Sequence, residues 1–203
     1  MLAADWDILA RCPERPMVSA RACITGAKLN KVPGSTCHGC YALKANYLYP
    51  SVATAHARRL ASIDGAGWSA AMAVLILNAV ARGGPAYHRW HDAGDLQSVE
   101  HLTKICAVAA MTSRVKHWLP TRELGIVQDY VARGGMVPDN LLIRVSATMV
   151  DGSPTRAWPH TSTVHTVVTK GLRVCPAPTQ GNKCGQCRAC WSKKVSNVSY
   201  HKH

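Results

Sequence analysis

The sequence predicts an α/β fold in which a parallel sheet is covered by helices, either as a partial (βα) barrel or as an open sheet. Three observations carry this. Short runs of strand type alternate with longer segments of helical period, the pattern of right-handed βαβ crossovers. Two of the helical segments stop at a glycine pair, Gly83 with Gly84 and Gly134 with Gly135, as helix ends commonly do. The longest strand-like run is nearly all apolar from Leu141 to Val145, as a strand buried on both faces requires.

Taken in order, residues 1–40 carry Pro13, Pro16, Gly26, Pro33, Gly34 and Gly39 among their cysteines and read as loop. "YALKANYLYPSVATAHARRLASID" is helix-prone but interrupted at Pro50, giving two pieces. "GWSAAMAVLILNAVARGG" places Met72, Leu75, Ile76, Ala79 and Val80 on one helical face. "AYHRW" follows as a short strand, "HDAGD" as a turn, and "LQSVEHLTKICAVAAMT" as a second long helix. "VKHWLP" is another strand, and "TRELGIVQDYVARGG" a helix with Thr121 as its expected cap. "NLLIRVSATMV" is the long strand, and "TVHTVVT" allows one more. From Gly171 the chain is Cys-rich and basic without helical period, so one domain is expected, with a loop region at 1–40, a body at 41–170 and a tail at 171–203. In sheets of this kind chemistry gathers at the carboxyl ends of the strands. That rule singles out "HDAGD", "PTRE" and "SATMVD".

Hydrophobic residues at 47% and charged residues at 17% describe an ordered globular chain and exclude a disordered one. The net charge of +13 favours a polyanionic partner, nucleic acid first, because clustered Lys and Arg release counterions from phosphate backbones. No long uninterrupted apolar window suits a membrane span, and "MLAADWDILARC" lacks the basic-then-apolar order of a secretory signal. A soluble cytoplasmic protein is expected, neither secreted nor membrane-bound, with no obligate protein partner inferred. In that compartment nine cysteines suit metal ligation better than disulfides.

The tail contains "NKCGQCRACW", with Cys184, Cys187 and Cys190 at three-residue steps and Cys175 upstream. Four thiolates surround either a 4Fe-4S cluster or a tetrahedral zinc, and the close triple step favours the cluster, because structural zinc usually takes two separated pairs. "STCHGCYA" adds Cys37 and Cys40, with Cys23 upstream. That group holds a second cluster, or it completes a shared one with two of the tail cysteines. Cys106 lies on an apolar helical stripe and reads as a small buried hydrophobe, and Cys12 is set aside with it.

Around the first strand end stand His88, Arg89, His91, Asp92 and Asp95. Strand alternation puts His88 with Trp90 on one face and Arg89 with His91 on the other. His91, Asp92, Glu123 and Arg122 are the candidate catalytic set: the first three to hold a divalent ion or activate water, Arg122 to neutralise charge. Asp95 reads equally well as a helix cap. Arg144, inside an apolar strand, requires a carboxylate or an anionic ligand, and with Lys183, Arg188, Lys193 and Lys194 it forms the candidate nucleic-acid-binding set.

"CHGCYALKANY", "RWHDAGDLQS", "WLPTRE", "LLIRVSATMVD" and "CPAPTQGNKCGQCRACW" followed by "NVSYHKH" occur in an order that resembles the phage gene-product-88 domain family. That resemblance implies a phage-encoded protein working in the host cytoplasm and implies little chemistry. A more distant similarity is to the partial barrels of radical S-adenosylmethionine enzymes. It implies that Cys23, Cys37 and Cys40 hold a 4Fe-4S cluster with one open iron, and that "AGDL" at 93–96 is the turn that holds the cofactor's amino group. The chain departs from that pattern: thirteen residues separate Cys23 from Cys37, the turn is not Gly-Gly-Glu-Pro, and the length allows only part of a barrel. Three functions follow as expectations. The first is an iron-sulfur protein that binds nucleic acid and acts on it as a nuclease. The second is a radical S-adenosylmethionine enzyme, and the third a non-catalytic, metal-stapled DNA- or RNA-binding domain.

Overall fold

A computed structural model describes residues 19–168, 171 and 173–202. Cys12 and the opening segment lie outside them. Five strands form one sheet: β1 (Tyr87–Arg89), β2 (Lys116–Thr121), β3 (Leu141–Val150), β4 (Thr161–His165) and β5 (Asn197–His201). All pairings are parallel and the spatial order is the chain order, β1-β2-β3-β4-β5. Right-handed crossovers in such an order wind in a single direction, so the helices collect on one face and the sheet curls into a half-barrel. The α/β expectation holds in its partial-barrel form.

The helices are α1 (Ile24–Leu29), α2 (Pro50–Ser62), α3 (Trp68–Ala81), α4 (Val99–Met111) and α5 (Leu124–Ala132). Helix α1 corrects the reading of residues 1–40 as loop; it is a short helix that begins at Cys23 as its N-cap. Pro50 opens α2 instead of splitting a helix, because at the first helical position its missing N–H has no intrahelical partner to lose. The stretch before it forms two 3-10 turns, Tyr41–Leu43 and Ala45–Leu48. Ser98 caps α4, its hydroxyl accepting the His101 N–H at 3.1 Å. The cap position of α5 is Glu123, not Thr121. The Thr121 hydroxyl still serves that end by accepting the Glu123 N–H at 3.0 Å.

Strand alternation divides the core. Trp90, Leu119, Leu141 and Ile143 face the helices and pack with Met72, Ile76, Leu102, Ile105 and Val127. The opposite, inner face carries Trp118 and Val198, which pack with Ala189 and Cys190 of the tail. β4 begins earlier than "TVHTVVT" suggested, and β5 lies in the segment that showed no period. The tail is therefore part of the sheet: it supplies its last strand and covers its inner face. Cys106 sits in the helix-side core as expected. Among the described residues no helix is long and apolar enough to cross a membrane.

Candidate functional site

The segments that follow β1 and β2 and the last residues of the β3 strand itself all grip the N-terminal cysteine loop. After β1, the Asp92 carboxylate accepts the Tyr47 hydroxyl at 2.9 Å and its carbonyl accepts the Tyr41 hydroxyl at 2.7 Å. After β2, Glu123 accepts both the N–H and the hydroxyl of Thr25, each at 2.8 Å, which fixes the start of α1. Beside it, Arg122 Nε donates to Thr36 Oγ1 at 3.1 Å. From β3, the Thr148 carbonyl accepts the Thr36 N–H at 2.9 Å and the Ala147 carbonyl accepts its hydroxyl at 3.0 Å. Asp95 joins the first two strand ends, accepting the Thr121 hydroxyl at 2.5 Å and the N–H groups of Arg122 and Leu96 at 2.8 Å. It is a clasp between loops and not the cap of α4.

Held this way, Cys23, Cys37 and Cys40 interact electrostatically with one another at the carboxyl mouth of the sheet. Burial pushes the Cys23 thiol up to about 12, reinforced by Asp95, Cys37 and Cys40, while Arg122 opposes the rise. Burial likewise raises Cys37, again against Arg122. Gly26 is the close-approach position: a Cβ there would stand 2.8 Å from Cys23 Cβ, 3.5 Å from Cys23 Sγ and 3.6 Å from Cys37 Sγ. Only a residue without a side chain leaves the space between those two sulfurs and the helix open.

Cys175, Cys184, Cys187 and Cys190 form a second set on the inner face, linked by mutual electrostatic effects. Cys190 belongs to a 3-10 turn, Ala189–Trp191, and its sulfur lies 3.1 Å from the Tyr200 hydroxyl of β5. Burial raises it to about 11. Cys175 is placed by its N–H donating to the Ser199 carbonyl at 2.8 Å, and Cys187 by its N–H donating to the Cys184 carbonyl at 2.9 Å. The donors of both sets are thiols, recessed and flanked by Arg122 in one case and by Arg188 and Arg89 in the other. That chemistry fits thiolate-bound iron-sulfur clusters or zinc. Among the described residues no group of three or more His, Cys, Asp or Glu stands at metal-holding geometry. The two sets occupy different places in the fold, the mouth for one and the inner face beside β5 for the other.

The remaining candidates divide. Arg122, Asp92 and Glu123 do meet at the mouth, but the two carboxylates are engaged by Tyr47 and Thr25. His91 does not share a face with Arg89. The chain turns at φ 54 there, and the buried ring packs 5.6 Å from His101 on the helix side. Gly94, at φ 81, makes the tight turn between them.

Arg144 is corrected outright as a nucleic-acid contact. It is fully buried and donates to six backbone carbonyls, those of Cys190, Ala189, Thr161, Ser192, Ser196 and Val195, at 2.8 to 3.2 Å. Among the described residues its acceptors are backbone carbonyls and not a carboxylate. Arg188 stacks 5.0 Å over Tyr87 and donates to the Gly185 and Cys187 carbonyls, and Lys193 pairs with Asp139 at 3.0 Å. Lys183 and Lys194 are exposed. Sequence reasoning passed over Thr25, Thr36 and Tyr200, whose roles arise from contacts between distant segments and leave no local pattern.

Fold and site define a class: a half-barrel α/β protein with a three-thiol mouth and a four-thiol inner face. Within that class the chain belongs to the Gene product 88 family, whose model matches residues 2–193. No curated protein and no solved structure matches it.

Proposed function

We propose that the protein is an iron-sulfur enzyme of the radical S-adenosylmethionine type, with one cluster on Cys23, Cys37 and Cys40 and another on Cys175, Cys184, Cys187 and Cys190. The carrying observation is the grouping of the thiols. Three, not four, gather at the carboxyl mouth, where α/β sheets bind ligands, while four gather apart from them on the inner face. Three thiolates leave one iron of a 4Fe-4S cluster free for an exogenous ligand, whereas four saturate one. When bound, such a cluster supplies one electron to S-adenosylmethionine. The chain's own contribution is positional: Asp92, Glu123 and Thr36 lock the cysteine loop to three strand ends, and Arg122 offsets the thiolate charge.

A nucleic-acid substrate suits the charge of +13. Hydrolysis by a divalent ion on His91, Asp92 and Glu123 has less support, because His91 turns into the helix-side core and both carboxylates already accept protein donors. The test is iron and sulfide analysis of anaerobically purified protein, with S-adenosylmethionine cleavage after dithionite reduction. Two clusters' worth of iron, half of it lost in Cys187→Ser, and cleavage abolished by Cys37→Ser are expected. Zinc without sulfide, or no cleavage by fully loaded protein, would sink the proposal.

A further inference from the structure

Two arginines project from the sheet onto the inner face, and their surroundings differ sharply. Arg144, on β3, has six carbonyl acceptors. Arg89, the last residue of β1, pairs in register with Trp118 of β2, and its guanidinium lies 5.0 Å over that indole ring. Its Nε is buried with no hydrogen-bond partner, and among the described residues no carboxylate stands within ion-pair distance. The titratable groups nearest it are Tyr41, Asp92, Tyr200 and Cys190, of which only Asp92 is a carboxylate. Tyr41 and Asp92 belong to the mouth and Cys190 and Tyr200 to the four-thiol set, so Arg89 stands between the two. A buried guanidinium N–H that lacks an acceptor is costly to the fold unless a ligand supplies one. Its planar fork matches the paired oxygens of a carboxylate or phosphate, and the indole beneath restricts its rotation.

We propose that Arg89 is the anion-binding residue of the inner face, taking the carboxylate or phosphate group of a small molecule seated between the two thiol sets. This goes beyond the reading of the mouth as a cluster site and rests on it only for placing the small molecule beside a cluster; the anion site itself requires no particular metal. Trp118 acts as a positioning residue by stacking on the guanidinium.

The experiment is calorimetric titration of the full chain, purified anaerobically and without S-adenosylmethionine. Inorganic phosphate is used in one arm and succinate in the other. One saturable site per chain is expected for one of the two anions, and the responding arm distinguishes phosphate from carboxylate. Arg89→Met should weaken it by about tenfold or more, while Arg82→Met, an exposed arginine at the end of α3, leaves it unchanged. Should Arg89→Met lose iron or its unfolding transition, Arg89→Lys gives the same test. It keeps the charge but loses the fork, so weaker binding with unchanged iron content is expected. No saturable site for either anion, or equal binding by wild type and an Arg89 variant, would overturn the proposal. Iron content is scored separately, so a failed cluster assignment is told apart from a failed anion site.

Discussion

Replacing Arg144 by methionine keeps the side chain's bulk and apolar stem but removes every donor from the six carbonyls that converge on it. Three of those bonds, to Cys190, Ala189 and Thr161, are wholly buried, whereas those to Ser192, Val195 and Ser196 lie where water can replace the donor. A buried acceptor left unsatisfied costs about 1 to 3 kcal/mol, so three give about 3 to 9 kcal/mol before relaxation. Relief comes from no longer burying a charge and from local opening of the tail, which brings the expected loss to about 3 to 5 kcal/mol. The measurement is urea unfolding followed by circular dichroism, paired with limited proteolysis read by mass spectrometry. Cleavage should rise first within 184–196, because five of the six carbonyls belong to that segment and one to β4. Arg144→Lys should recover little, since three donors on a point charge cannot span acceptors spread over residues 161–196. An Arg144→Met protein with stability within about 0.5 kcal/mol of wild type and an equally protected tail would refute the reasoning.

Other outcomes are expected on the same grounds. His101 and His117 are buried behind the sheet and held neutral, their pKa values lowered by burial to about 3 and about 4, with His91 and Lys104 adding to the effect on His101. Because the folded values lie below the ordinary 6.5, the unfolded chain takes up protons first as pH falls. Between pH 7.5 and 5 each histidine should therefore remove about 2 kcal/mol of stability, and a urea midpoint unchanged over that range would contradict this. Gly26→Ala puts a methyl group against Cys23 and Cys37, so on the proposed two-cluster reading iron at the mouth should fall while that on the tail cysteines is retained, as quantified in a Cys187→Ser background and its parent. Tyr200→Phe removes the hydroxyl 3.1 Å from Cys190 Sγ; the reduction potential of the proposed tail cluster should shift negative with iron content unchanged, and an unmoved potential would deny the hydroxyl that role. Thr25→Val removes one of the two donors to Glu123 and should destabilise the fold by about 1 to 2 kcal/mol in urea titration.

What the amino-acid sequence determined by itself is the repeating part of this protein. Periods and stop signals are local, so helices α3 to α5, strands β1 to β3 and the buried setting of Cys106 could all be read from neighbours a few residues apart. The strand-end rule also pointed to the segments that grip the cysteine loop, because in a parallel sheet every crossover leaves its loop at the same edge. Spacing suggested the grouping of seven cysteines into a three and a four but left open whether the two groups share one site, since it says which thiols are neighbours in sequence and not which strand ends hold them. The roles of Arg144 and Arg89 were equally hidden. Each is a lone arginine in a strand, and only the tertiary structure brings six tail carbonyls to one and an indole to the other. β5 escaped notice for the same reason: "NVSYH" has little intrinsic strand signal and becomes a strand because β4 offers it an unpaired edge. A partner close in sequence leaves a pattern, whereas one supplied by a distant segment is decided only when the chain folds.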